Sequence, residues 1–248
     1  NDSNLRTIDA NAFNNTMITS FSLPSHVTYI GKRAFYWSHL CKIVIPKESE
    51  LQIIDDEAFS DSCIENIAIP SQVTKIGEKA FANCTKIKRI TFPNDSKLQS
   101  IGNDALYRSS IESLTIPSQL IELKEDFFKF VPHLNKIEVA QNNPIFSSID
   151  DKMLIKKTSI DKTNYDCLVI GARNINTIVI PSFIENICPH AFEACKQFQK
   201  VVFPSDSRLK IIGDESFGGS SIAQIKIPSQ VVGILKRTFF YCDKLKRV

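Results

Sequence analysis

Four histidines and seven cysteines are the residues of this 248-residue chain best suited to acid–base, nucleophilic or metal chemistry. Their spacing supports none of these. His26, His39, His133 and His190 lie far apart with no nucleophile placed to match, and the chain contains no GxSxG, no HExxH and no phosphate-binding glycine loop. With only eight glycines, nucleotide-cradling loops have little material to form from. No CxxC pair or Cys/His cluster has zinc-ligand spacing, and an odd cysteine count leaves at least one thiol unpaired. The expectation is therefore no catalytic residues, no cofactor and no metal, and a chain that is not an enzyme.

What remains for chemistry is recognition by a surface, and a repeat decides which side chains reach that surface. Ile76-Gly-Glu-Lys-Ala-Phe81 recurs from Ile8, Ile30, Ile54, Ile187 and Ile212, with weaker copies from Ile101, Leu123 and Ile234. The starts lie 22, 24, 22, 25, 22, 64, 25 and 22 residues apart. Apart from the 64, these steps fall in the roughly 20–29 residue period of leucine-rich repeats. Between the copies stands a second motif, Ile87-Lys-Arg-Ile90-Thr-Phe92-Pro93, matched at Ile64, Ile111 and Phe198. Its alternation of apolar and polar residues, closed by proline, predicts one short parallel strand per turn with one buried face. The ladder residue precedes this motif by five positions at Phe59 and Leu106 and by six at Phe81 and Phe128, so the unit is a dyad.

Stacking such turns predicts a mostly β leucine-rich-repeat solenoid, right-handed and curved, with loops and short 3-10 turns on the convex side. Phe13, Phe35, Phe59, Phe81, Phe128, Phe192, Phe217 and Phe239 occupy one place per turn and are predicted to form an internal structural ladder. Cys84, Cys195 and Cys242 each follow a ladder phenylalanine by three residues and read as buried thiols. Cys195 and Cys242 are two turns apart, roughly 10 Å at the strand spacing, which is beyond disulfide reach.

The oversized step holds the strand Leu134-Asn-Lys-Ile137-Glu-Val139 and then residues 143–171, where two apolar runs flank the polar Lys156 to Asn164. This predicts a hairpin-like extension, projecting from the stack or spliced into it. The start resembles Asn94-Asp-Ser-Lys-Leu98 and the end resembles Lys86-Ile-Lys-Arg-Ile90. Residues 1–248 are thus expected to form one solenoid whose two ends fall within repeats of a longer array.

The combination of Ile-Gly-x-x-Ala-Phe, Phe92-Pro-Asn-Asp-Ser-Lys-Leu98, the Ile-Pro-Ser turns and Asn143-Pro-Ile-Phe146-Ser-Ser-Ile149-Asp resembles the BspA-like family of leucine-rich repeats. The match runs along essentially the whole chain. Departures stand at Leu106, at Ala140 in place of proline, at Cys188 in place of glycine and at Leu123-Lys124. The resemblance implies a surface or secreted protein of a host-associated bacterium or mucosal protist, acting in adhesion to host cells, matrix proteins or other microbes. The alternative is an intracellular scaffold or inhibitor gripping a protein partner in the concave face.

Outward residues flanking the central strand residue form the candidate partner-binding concave face: Lys42, Asn66, Arg89, Ser113, Lys136, Lys200 and Gln224 in one column, Thr91, Thr115, Glu138 and Lys226 in the other. A cationic stripe of this kind suits an acidic protein or sulfated glycan, although lysines on exposed strands also deter unwanted sheet pairing. The net charge of +3, from 30 basic and 27 acidic residues interspersed, is too balanced for a nucleic-acid protein. No apolar run is long enough to insert in a membrane. Four Asn-x-Ser/Thr sequons, at Asn1, Asn14, Asn83 and Asn94, matter only in a secretory pathway.

Overall fold

The computed structural model describes residues 3–124 and 126–248, which contain strands and turns and no helix. Contacts divide the chain into two compact units: Asn1–Val131 with Ala140–Pro144, and Pro132–Val139 with Ile145–Val248. Each is a parallel β-solenoid.

In the first unit the repeat motif begins with a two-residue strand that sequence reasoning did not separate from its turn. Thr7–Ile8, Tyr29–Ile30, Ile53–Ile54, Lys75–Ile76, Ser100–Ile101 and Glu122–Leu123 pair in parallel in that order. The L-x-x-L-x-L motif supplies the longer strands, among them Ser20–Ser22, Lys42–Val44, Asn66–Ala68, Arg89–Thr91 and Ser113–Ile116. Each turn of the unit therefore carries two strands instead of one, because β-branched Ile and Val at both places pack well on a pleated surface.

Between the two strands the chain makes no 3-10 turn among the described residues. Instead, residues two before and two after the ladder position adopt positive φ, as at Arg33 (56°) and Trp37 (53°) or Lys79 (52°) and Asn83 (56°). A left-handed non-glycine residue costs about 1–2 kcal/mol. The return is a ladder of hydrogen bonds between turns: the N–H groups of Arg33, Phe35 and Trp37 donate to the carbonyls of Asp56, Ala58 and Ser60 at 2.8–2.9 Å. Lys79, Phe81 and Asn83 donate likewise to Asn103, Ala105 and Tyr107. These turns thus satisfy backbone groups that would otherwise be buried unpaired.

This ladder sets the phenylalanines one above another. Phe13 and Phe35, Phe35 and Phe59, and Phe59 and Phe81 stack with centroids 5.0, 5.3 and 5.4 Å apart and planes within 7°. At the next turn Leu106 holds the position, and Phe127, from the place that alanine or serine takes in other turns, lines the same small apolar cavity as Phe81 and Leu106. Phe128 is buried but meets Phe127 edge-on at 4.1 Å. In the second unit Phe192, Phe217 and Phe239 stack at 5.3 and 5.5 Å.

The second unit opens its sheet with an antiparallel meander, Phe146–Ile149, Met153–Lys156 and Cys167–Gly171. Asp150 and Asp151, both at positive φ (50° and 53°), form the type I′ turn between its first two strands. The third strand then pairs in parallel with Asn186–Ile187, Leu168 opposite Ile187. The lengthened segment is spliced into the sheet of two-residue strands.

Candidate functional site

On the long-strand face of the first unit, Ser20 is the Cα partner of Lys42, and Asn66 and Ser113 are both partners of Arg89. The second column pairs Ser22 with Val44 and Ala68 with Thr91. In the second unit Thr177 faces Lys200, and isolated bridges continue Lys200 to Gln224 and Gln224 to Arg247. The central residues Ile43, Ile67, Ile90, Ile178, Val201 and Ile225 point inward and are buried. Lys42, Asn66, Arg89, Thr91, Lys136, Lys200, Gln224 and Lys226 are exposed, whereas Ser113, Thr115 and Glu138 are half-buried.

Charge separates these residues. Lys136 stands 2.7 Å from Glu138 and 4.0 Å from Asp151, and the hydrogen bond to Glu138 holds its ammonium above the usual lysine range. It is paired chiefly with Glu138, two places along the same strand, and more distantly with Asp151, a turn acid that the strand pattern gave no reason to place there. Lys42, Arg89, Lys200, Lys226 and Arg247 form no ion pair among the described residues. In the second unit Lys200, Lys226 and Arg247 surround Gln224 at a shallow hollow of about 310 Å³. Consecutive parallel strands stand about 4.8 Å apart, so Lys200 and Arg247 bracket Gln224 at about 10 Å. In the first unit a larger hollow of about 400 Å³ lies beside the face, walled by the turn prolines Pro46, Pro70 and Pro93.

Among the described residues, those suited to catalysis do not assemble a nucleophile with its base. His26 reaches Glu50 at 2.9 Å on the surface, and His39 and His133 are exposed. His190 is buried beside Glu193, with one ligand atom from each of His190, Glu193 and Glu215 lying within 4.8 Å of the others. Nothing in the spacing of the sequence signalled this group, because Glu215 comes from the next turn.

None of the seven cysteines forms a disulfide. Cys84 and Cys242 donate to the carbonyls of Phe59 and Phe217, one turn earlier, at 3.1 and 3.0 Å. Burial drives the Cys84 thiol up to about 12 and raises those of Cys195 and Cys242. Two contacts were not legible in the sequence: Cys41 lies against Cys63, and Cys167 against Cys188 on the neighbouring turn. Of the sequon asparagines, Asn94 is exposed, Asn14 and Asn83 are half-buried, and Asn1 lies outside the described residues. No described helix is long and apolar enough to cross a membrane.

A family model described as the BspA type leucine rich repeat region matches the chain in six copies, over residues 2–51, 52–171 and 170–248. No curated protein matches it. Among solved structures, the pneumococcal vaccine antigen PcpA superposes with a TM-score of 0.84 at 24% identity, over 98% of this chain and 66% of its own. A leucine rich cell surface protein of Faecalibacterium prausnitzii gives 0.72 at 21% identity, over 98% and 76%. A leucine-rich repeat protein of Eubacterium ventriosum gives 0.68 at 22%, over 97% and 56%. The chain spans just under two thirds of the pneumococcal antigen's length. At these identities the likeness speaks to the fold.

Proposed function

This chain belongs to the BspA-type leucine-rich-repeat family, and from that premise we propose that it is the non-catalytic interaction module of a cell-surface or secreted protein, mediating adhesion to host cells, matrix proteins or other microbes. The partner is an acidic protein or glycan held on the long-strand face. Lys200, Lys226 and Arg247, gathered around Gln224 with no acid to neutralise them among the described residues, are the observation that carries this reading. A fixed spacing of uncompensated cations raises both the encounter rate and the affinity for a partner of opposite charge. Two of the structural neighbours, a vaccine antigen and a cell surface protein, support the surface setting.

The test is a binding screen against matrix proteins, sulfated glycans and host cells, followed by the triple reversal Lys200→Glu, Lys226→Glu, Arg247→Glu. Binding at micromolar concentration or tighter is expected, with at least a tenfold loss in the triple variant and a Tm nearly unchanged. Lys136→Glu is expected to cost much less, since Glu138 and Asp151 already neutralise that ammonium. Absence of binding across the screen, or binding indifferent to the triple reversal, refutes the proposal.

A further inference from the structure

The turn that begins at Ile187 buries charge where the others do not. His190 (φ 58°) occupies the left-handed position that holds Arg33, Glu57, Lys79 and Asp104 in the first unit, all of them exposed or half-buried. His190 is 6% exposed. Where the residue after the ladder phenylalanine is buried in other turns it is small, Ser60, Ala82 or Gly218, but here it is Glu193, 3% exposed. Placing a carboxylate out of water without compensation costs several kcal/mol.

Two cations stand near this carboxylate: His190, and Arg173, itself buried, which donates to the Ala191 carbonyl at 2.9 Å and to Cys195 Sγ at 3.2 Å. Nδ1 of His190 stands 3.1 Å from Oε2 of Glu193, yet that oxygen accepts no hydrogen bond among the described residues. Glu215, from the following turn, brings a second carboxylate to the same point, so that one donor atom from each of the three lies within 4.8 Å of the others. The backbone ties the two turns here, His190 N–H donating to Asp214 at 3.0 Å. Arg237 approaches Glu215 from outside at 3.7 Å, with its side chain half in solvent.

The geometry points to a divalent transition-metal site at His190, Glu193 and Glu215, clamping two successive turns of the second unit. An imidazole with two carboxylates is a donor set that suits zinc and its first-row neighbours. Metal–ligand bonds of about 2.0–2.2 Å place donors around one ion about 3.3–3.6 Å apart. From their present limit of 4.8 Å the three donors need only close by about 1.2–1.5 Å. Glu215 keeps a quarter of its side chain exposed, so it marks the entry path, and water completes the coordination there. Binding releases any proton held on the imidazole and exchanges metal-bound water for protein donors, with no redox change.

The test uses the chain stripped with a chelator and kept reduced, with zinc chloride alone as the probe. A saturable one-to-one rise in Tm of about 5 °C or more is expected at a hundredfold excess over Kd. Glu193→Gln and Glu215→Gln are each expected to abolish the rise. Cobalt(II) is expected to give d–d bands without a thiolate charge-transfer band, which separates this site from the cysteines. If Glu193→Gln does not fold, Glu215→Gln, partly exposed and outside the core, decides alone. No rise in Tm, a rise that survives the Glu215 substitution, or a thiolate band overturns the assignment and leaves a buried His–Glu ion pair.

Discussion

A β-carbon on Gly171 would lie 2.2 Å from Cε1 of Phe192, far inside van der Waals contact. The ring cannot yield: Phe192 is fully buried, with Phe198 at 5.0 Å and Phe217 at 5.3 Å stacked about it. Gly171 ends the meander, so the absence of a side chain lets the spliced segment close on the phenylalanine column. Gly171→Ala is expected to destabilise the chain by about 3 kcal/mol, the upper part of the usual range for overpacking. Glycine to alanine in an unstrained position is stabilising by up to about 1 kcal/mol, so the sign of the shift in the urea midpoint checks the contact.

The phenylalanine column is continuous in the first unit from Phe13 to Phe81, and Phe59 sits within it, fully buried. Phe59→Ala removes two stacked neighbours at once and is expected to cost about 4 kcal/mol. Phe59→Leu is expected to cost about 1 kcal/mol, because Leu106 fills the same position with only a small cavity beside it. Equal losses for the two substitutions would show that ring stacking, and not filled volume, governs the column.

Much of this architecture was legible because a parallel stack writes one side-chain type into one position per turn. The period and the family follow directly, and Lys200 and Gln224, set in one column by sequence, are bridge partners. The left-handed residues were not legible. Arg33, Trp37, Glu57 and Lys79 at positive φ look like ordinary surface residues, and Gly219 alone among these places is glycine. Hydrogen bonds to the next turn impose their conformation, which no local propensity encodes. The same holds for charge. Lys136 read as a free cation of the stripe, but Glu138 on its own strand reaches it at 2.7 Å, and Asp151, fifteen places along in the lengthened segment, folds back to 4.0 Å. Phe127 likewise fills space that only the loss of a ring at Leu106 opens.

Tyr29 and Asp55 form a side-chain hydrogen bond between adjacent turns, the phenol donating at 2.5 Å. This bond, with burial and the charge of Asp55, lifts the phenol to about 12. A group whose folded value stands above its unfolded value of about 10 gives stability that is full below pH 10 and is lost as the pH rises towards 12. Alkaline difference spectroscopy should therefore find one of the five tyrosines ionising about two pH units late. Tyr29→Phe should remove that late step and flatten the loss of stability across the same window. A single common tyrosine transition near pH 10 would contradict the pairing.

The buried cysteines make a prediction about reactivity. Cys84 is fully buried, donates to Phe59 and contacts Ser62 at 3.4 Å, and desolvation drives its thiol up to about 12. The nucleophile is the thiolate, which at pH 8 is about one part in ten thousand of such a group. Alkylation of the native chain, mapped by mass spectrometry, is expected to modify the half-buried Cys41 and Cys63 and to spare Cys84 and Cys195, with all seven thiols reacting after unfolding. Serine stands at the equivalent places Ser38, Ser62 and Ser220, each buried, so Cys84→Ser keeps a donor for the Phe59 carbonyl and is expected to cost no more than about 1 kcal/mol. Rapid labelling of Cys84 in the native state, or collapse of the fold on Cys84→Ser, would mean that the thiol faces solvent or bonds elsewhere, and that the serine and cysteine positions do not form one inward column.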